Sequence, residues 1–190
     1  TPEVDKIVVN TDSKEIKKKI NDFDVTVIDR PDSLCGDHVP MNDIILHDIT
    51  QVDADYYLQT HCTNPLLQSE TISEAIARFR EDHANSLFSV TPAQARFWNT
   101  DGQPINHKRD ELKRTQDLPP IYEENSNIYI FTNESVQRRE NRIGDDPRMF
   151  PIDETEAIDI DEAIDFRIAE FLHRDRYGKN PSLNEVLEDQ

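Results

Sequence analysis

Apolar positions recur along the chain in two alternating rhythms. Lys6-Ile7-Val8-Val9-Asn10 is a short β-branched run that predicts a strand, and Thr11-Asp12-Ser13 then offers caps for a helix through Ile20. Val25-Thr26-Val27-Ile28 predicts a second strand, closed by Asp29-Arg30-Pro31. Ile44, Ile45 and Ile49 give a helix its inward face, and Tyr56-Tyr57-Leu58 is strand-like before a polar turn from Gln59 to Pro65. Ile72, Ile76 and Phe79 mark the next helix, and Leu87-Phe88-Ser89-Val90 the next strand. After a long polar stretch, Asn127-Ile128-Tyr129-Ile130-Phe131 resumes as a strand, Glu134 to Arg142 is a polar helix and Met149-Phe150 begins a short strand.

Strands alternating with helices predict an α/β fold of βαβ units, with a Rossmann-like, mostly parallel sheet flanked by helices. Ligands of such sheets collect beyond the carboxyl ends of the strands, which singles out the loops at Thr11-Asp12, Arg30 to Asp37 and Gln59 to Pro65. The polar stretch, about 91–127, reads as a small insertion within one domain spanning 1–175. Its Phe97 and Trp98 either pack onto a partner subunit or dock on their own domain. From Arg176 to Gln190 the chain reads as a loosely held tail.

Composition narrows the function. With 190 residues, 35% hydrophobic and 32% charged, the chain suits a globular domain with a real core. It holds no apolar run of membrane-spanning length, and Thr1-Pro2-Glu3-Val4-Asp5 has no leader character, so a cytoplasmic protein is expected. A net charge of −18 argues against nucleic-acid polymers, whose binding needs clustered Lys and Arg. An anionic small molecule would need a metal ion and a few placed basic groups. Cys35 and Cys62 have no metal-finger spacing, the six histidines form no close pair on a helix face, and no Gly-x-Ser-x-Gly elbow occurs.

The sharpest chemical signal is Ile158-Asp159-Ile160-Asp161-Glu162, running into a helix with an apolar stripe at Ile164, Ile168, Phe171 and Leu172. In extended backbone, Asp159 and Asp161 would point to one face roughly 6–7 Å apart, a spacing that lets two carboxylates share a divalent cation, usually Mg²⁺. Taken on the pair alone, in a chain this acidic, Asp161 reads first as the N-cap of the following helix.

Taken in order, several blocks resemble one family. Asp5-Lys6-Ile7-Val8-Val9-Asn10-Thr11-Asp12, Arg30-Pro31 with Asp37, Leu58-Gln59…Asn64-Pro65-Leu66, Gln116-Asp117-Leu118-Pro119, Asn125 with Tyr129, and Ile158-Asp159-Ile160-Asp161 are similar to the CMP-sialic acid synthetases, the acylneuraminate cytidylyltransferases. The resemblance implies a Mg²⁺-dependent enzyme that couples CTP to an acidic sugar and releases pyrophosphate, and a homodimer formed through the insertion. It implies Asp159 and Asp161 as catalytic metal ligands, Arg30, Asp37 and Thr11 on the nucleotide, and Gln59, Asn125, Tyr129 and Gln116 on the sugar. Each has a plainer reading: Arg30 as a salt bridge to Asp29 or Asp32, Gln59 as a turn residue, Tyr129 as core.

The departures matter as much. Thr115 stands where the family carries an arginine, with Arg114 one step earlier, and Arg114 and Lys108 are the substitutes expected for binding the sugar carboxylate. Glu123 occupies a position that is often basic, Met41 one that is often serine, and the turn after Gln59 has an extra residue, with His61 and Cys62 inside it. The chain starts at what resembles the family's second strand, so the glycine-rich loop that wraps a triphosphate is expected in a longer protein. The competing expectation is a homologue that keeps the fold but acts as a binding or structural module.

Overall fold

The computed structural model describes residues 1–111 and 113–178. Among the described residues six strands and five α-helices follow one another as β1 (Val8–Thr11), α1 (Lys14–Lys19), β2 (Thr26–Asp29), α2 (Met41–Gln51), β3 (Tyr56–Gln59), α3 (Ser69–Glu81), β4 (Ser86–Ala93), β5 (Ile121–Thr132), α4 (Asn133–Arg139), β6 (Pro147–Pro151) and α5 (Ala163–Tyr177). β1 and β2 are parallel, with Val8 opposite Thr26 and Thr11 opposite Asp29. The remaining strands lie in the order β3-β5-β4-β6. Within that sheet β3 and β5 are antiparallel, Tyr56 opposite Thr132 and Gln59 opposite Tyr129, an orientation that the alternation of strands and helices does not reveal.

Contacts divide the chain into two compact units. The first comprises Thr1–Gln59, Gln68–Phe88 and Ile128–Arg148, and the second Thr60–Leu67, Ser89–Asn127 and Met149–Gln190.

The first unit has its core where helix and strand periodicities coincide. Ile45 and Ile49 of α2, Val136 of α4, and Tyr129 and Phe131 of β5 form one buried cluster, with Leu46, Tyr57, Phe88 and Ile143 packed against it. Residues 127–131 are buried without interruption, as expected of a strand covered on both faces. On α3 the buried side is Ala75, Ile76 and Phe79, and Phe79 meets the Tyr56 ring at 5.7 Å. Helix starts follow side-chain caps: Ser13 Oγ accepts from Ile16 N–H at 3.3 Å, and Thr132 Oγ1 accepts from Ser135 N–H at 3.1 Å. α4 stops at Glu140, which takes a left-handed conformation, so Arg142 lies in the following loop rather than in the expected helix.

In the second unit Val90, Leu66, Leu118, Ile152 and Ala169 are buried. The insertion is shorter than the sequence suggests, because β5 begins at Ile121 instead of Asn127. Glu123 and Glu124 are exposed there and hide the strand from a hydrophobicity pattern. The expected stripe of α5 is corrected: Ile164, Ile168 and Phe171 are exposed, and Ala169 is the buried residue of the helix. The tail begins later than expected. Arg176 belongs to α5 and is anchored, Nη1 donating to Leu66 O at 2.9 Å and Nη2 to Thr155 Oγ1 at 3.0 Å. The part of the expected tail at 179–190 lies outside the described residues.

Candidate active site

At the carboxyl end of β2, Arg30 reaches across to β1 rather than to a neighbouring aspartate. Its Nε donates to Asn10 Oδ1 at 2.8 Å and its Nη2 to Asn10 O at 3.1 Å. Asn10 in turn donates to Asp48 of α2. Asp29, the expected salt-bridge partner, is taken by Lys17. The guanidinium is thus held by a backbone carbonyl and an amide, two neutral groups. Thr11 is buried, and its hydroxyl accepts from Ser13 N–H at 3.1 Å. Asp37 is exposed in the turn after Gly36, whose φ of +113° favours glycine. Beside this turn the Cys35 thiol is pushed up by desolvation and by the Asp12 and Asp32 carboxylates, with Arg30 opposing.

At the end of β3, Gln59 Oε1 accepts from Arg142 Nη1 at 2.9 Å, and the Arg142 guanidinium lies 3.5 Å from the centre of the Tyr129 ring. Tyr129 has no exposed surface to offer a ligand, since its ring belongs to the core and is covered by Arg142. Arg142 was not among the residues singled out from the sequence. In the run Arg138-Arg139-Glu140-Asn141-Arg142 it looks like one more solvated charge.

The second unit contains a cleft of about 450 Å³ between the end of β4, residues 123–126 of β5 and the segment carrying Asp159 and Asp161. That segment forms no regular strand. It is pinned instead by the 61–64 turn: Ile160 N–H donates to Thr63 O at 2.9 Å, and the buried Asn64 donates from Nδ2 to Ile158 O at 3.3 Å. Backbone groups at 158 and 160 thereby face the turn while Asp159 and Asp161 line the cleft. Asp161 is not the helix cap. Glu162 caps α5 in a capping box with Asp165, and Asp165 Oδ2 also accepts from Asp161 N–H at 3.2 Å, which frees the Asp161 carboxylate from local duty.

Two atoms at this cleft are buried without a partner: Asp159 Oδ1 and Asn125 Nδ2. The Asn125 carboxamide is oriented by its oxygen, which accepts from Ser89 Oγ at 2.5 Å and from Asn127 N–H at 3.3 Å, so its NH₂ is the side presented. Asn127 is itself fixed by donating to Glu156 O at 2.6 Å. Glu123, Glu124, Glu154, Asp159 and Asp161 line the cleft and, among the described residues, no basic side chain does.

The expected carboxylate binders are engaged elsewhere. Arg114 forms a two-pronged pair with Asp117 at 2.8 and 3.0 Å, which lowers the Asp117 pKa and raises that of Arg114. Lys108 stands 3.6 Å from Glu111. Gln116 is exposed in a short turn of 3₁₀ helix at Thr115–Asp117. No group of three metal-ligating side chains occurs among the described residues. Two carboxylates still suit a Mg²⁺ that keeps waters and takes phosphate oxygens, and the orphaned Asp159 Oδ1 fits such an ion.

A parallel β-pair followed by a held arginine, and a cleft lined by paired carboxylates, stand on an α/β fold. The chain belongs to the cytidylyltransferase family, whose model matches residues 1–180. It is 25% identical over 182 residues to post-translational flagellin modification protein B of Campylobacter coli, covering 90% of this chain and 77% of that protein. Over 68 residues it is 34% identical to CMP-N,N'-diacetyllegionaminic acid synthase of Campylobacter jejuni, covering 36% of this chain and 29% of that one. Among solved structures, CMP:2-keto-3-deoxy-manno-octonic acid synthetase complexed with CTP matches with a TM-score of 0.64 at 16% identity, covering 90% of this chain and 82% of that one. A 4-diphosphocytidyl-2C-methyl-D-erythritol synthase matches with a TM-score of 0.67 at 13% identity, over 90% and 83%. These identities support the shared fold. No helix among the described residues is long and apolar enough to cross a membrane.

Proposed function

We propose that this chain transfers a cytidylyl group from CTP to an acidic, sialic-acid-like sugar, with Mg²⁺ as cofactor. The observation that carries this reading is the pair of orphaned buried atoms at the cleft, the donor Asn125 Nδ2 and the acceptor Asp159 Oδ1. Unsatisfied buried polar atoms cost about 1–3 kcal/mol each, so two of them on residues that line one cleft support its completion by a ligand. The names of the relatives support an acidic sugar: one makes a CMP-linked legionaminic acid, and the CTP-bound structural neighbour is a synthetase for a keto-deoxy sugar acid.

In this reading Asn125 donates to an oxygen of the sugar, while Asp159 and Asp161 would hold the metal ion. When bound, Mg²⁺ supplies neutralisation of charge on the phosphate oxygens. The sugar's anomeric hydroxyl attacks the α-phosphorus, forming the sugar–oxygen–phosphorus bond as the bond to the pyrophosphate oxygen breaks. The hydroxyl proton leaves to a carboxylate of the Asp159/Asp161 pair. Arg30, held through Nε and Nη2, keeps Nη1 for the nucleotide. Thr11, the last residue of β1, and Asp37, in the turn after β2, join it on the nucleotide in this reading.

The same reading includes a homodimer formed through the insertion, which leaves Trp98 49% and Ile105 60% exposed. Sedimentation equilibrium should give a dimer, and a monomer at micromolar concentration would remove this element.

The activity is tested by supplying the full-length protein with CTP, Mg²⁺ and a panel of acidic sugars while pyrophosphate release is followed. Release with at least one sialic-acid-like or keto-deoxy sugar is expected. No release with any of them would leave the chain as a binding or structural homologue.

A further inference from the structure

Three non-glycine residues among those described take a left-handed backbone. His83 and Glu140 lie just past the ends of α3 and α4, where a left-handed residue commonly closes a helix. Ser126, at φ +59°, lies inside β5 instead. A serine has none of glycine's freedom in that region, so the surrounding structure must hold it there. Ser126 also lines the acidic cleft, between Asn125 and Asn127. One left-handed residue within a strand bends the chain and re-aims the side chains beside it.

The neighbouring bonds show what is aimed. Asn127 N–H donates back to Asn125 Oδ1 at 3.3 Å, an Asx-type turn closed around Ser126, and Ser89 Oγ donates to the same oxygen at 2.5 Å. Both lone pairs of that oxygen are thereby used. Asn127 is fixed from its far side, because it is fully buried and donates from Nδ2 to Glu156 O at 2.6 Å. An extended residue at position 126 would open the turn, and the Asn125 carboxamide could then rotate about its bond from Ser89.

We infer that Ser126 is a positioning residue for the acceptor sugar, whose left-handed backbone sets the direction in which Asn125 presents its NH₂. This rests on reading Asn125 as a sugar contact. Asn125 Nδ2 is buried at the cleft with no partner among the described residues. An amide NH₂ only donates, so the group it selects is an acceptor oxygen of the sugar: a hydroxyl lone pair, a carboxylate or an acyl carbonyl.

The test uses the full-length protein, CTP and the acidic sugar that turns over fastest, with KM for each substrate measured separately. Ser126→Thr keeps the hydroxyl but adds a β-branch that resists the left-handed region, and it should raise the sugar KM about tenfold with the CTP KM unchanged. Ser126→Gly loses the hydroxyl but adopts the same backbone freely, and it should keep the sugar KM within about twofold of wild type. In an Asn125→Ala background, Ser126→Thr should raise the sugar KM scarcely further, because both changes remove one interaction. If the threonine variant does not fold, Ser126→Gly carries the test alone. A sugar KM raised in Ser126→Gly, unchanged in Ser126→Thr, or raised by Ser126→Thr independently of Asn125→Ala overturns the inference while the site reading stands. If Asn125→Ala leaves the sugar KM unchanged, or no acidic sugar turns over, the reading of Asn125 fails and the inference falls with it.

Discussion

Asn125 shows how a single carboxamide can be given a direction. Its oxygen accepts from Ser89 and from the Asn127 amide, so its NH₂ is left buried and unpartnered at the cleft. Asn125→Asp keeps both acceptor contacts and removes the donor while adding charge to an already acidic lining. Catalytic efficiency should drop at least about tenfold, the scale of one lost hydrogen bond to a charged or buried group, with the melting temperature little changed. Unchanged kcat/KM in steady-state assays would mean that Asn125 does not face the substrate. Asp153 illustrates a different role. Its carboxylate accepts from Thr155 Oγ1 at 2.5 Å and from Thr155 N–H at 2.8 Å, which lowers its pKa below the usual value for aspartate. A lowered folded-state pKa stabilises the fold above the ordinary aspartate value and loses that contribution as pH falls through the lowered one. Asp153→Asn should therefore reduce the urea midpoint at pH 7 and have a smaller effect at pH 3. An equal effect at both would exclude titration of Asp153 as the cause.

At the scale of elements, the segment after α4 is held by side chains at three successive amides, those of Arg142, Ile143 and Gly144. Gly144→Ala places a methyl against Asn85 and Ser135 and should destabilise the fold by about 2 kcal/mol, read as a lower chemical-denaturation midpoint with an unchanged slope. A midpoint within error of wild type would show that the turn yields. This segment also shows where sequence reasoning reaches its limit. Helices α2 and α3 are legible because Ile44, Ile45, Ile49, Ile76 and Phe79 repeat at helical spacing and are in fact buried. The beginning of β5 is not, because its early residues face solvent and carry charge. The aspartate pair is legible as chemistry, yet its mode of support is not. Glu162 rather than Asp161 caps the helix, and the segment is pinned by bonds to Thr63 and Asn64, nearly a hundred residues earlier. Arg142 is invisible for the same reason, since only the β3–β5 register brings Gln59 and Tyr129 beneath it.

At the scale of the molecule, a net charge of −18 and a cleft with five carboxylates in its lining set the electrostatic problem. Such a cleft repels both CTP and an acidic sugar, so substrate binding there should depend steeply on a divalent cation. Lys108 and Arg114, the cations expected to bind the sugar carboxylate, are paired to Glu111 and Asp117. The most direct measurement compares Mg²⁺-dependent formation of CMP-sugar from CTP by wild type and by Asp161→Asn. Because Glu162 carries the helix cap, the substitution should leave the melting temperature unchanged while abolishing turnover. Turnover that persists in Asp161→Asn, or is lost only together with the fold, would contradict the assignment of the aspartate pair as the metal-binding centre of a cytidylyltransferase.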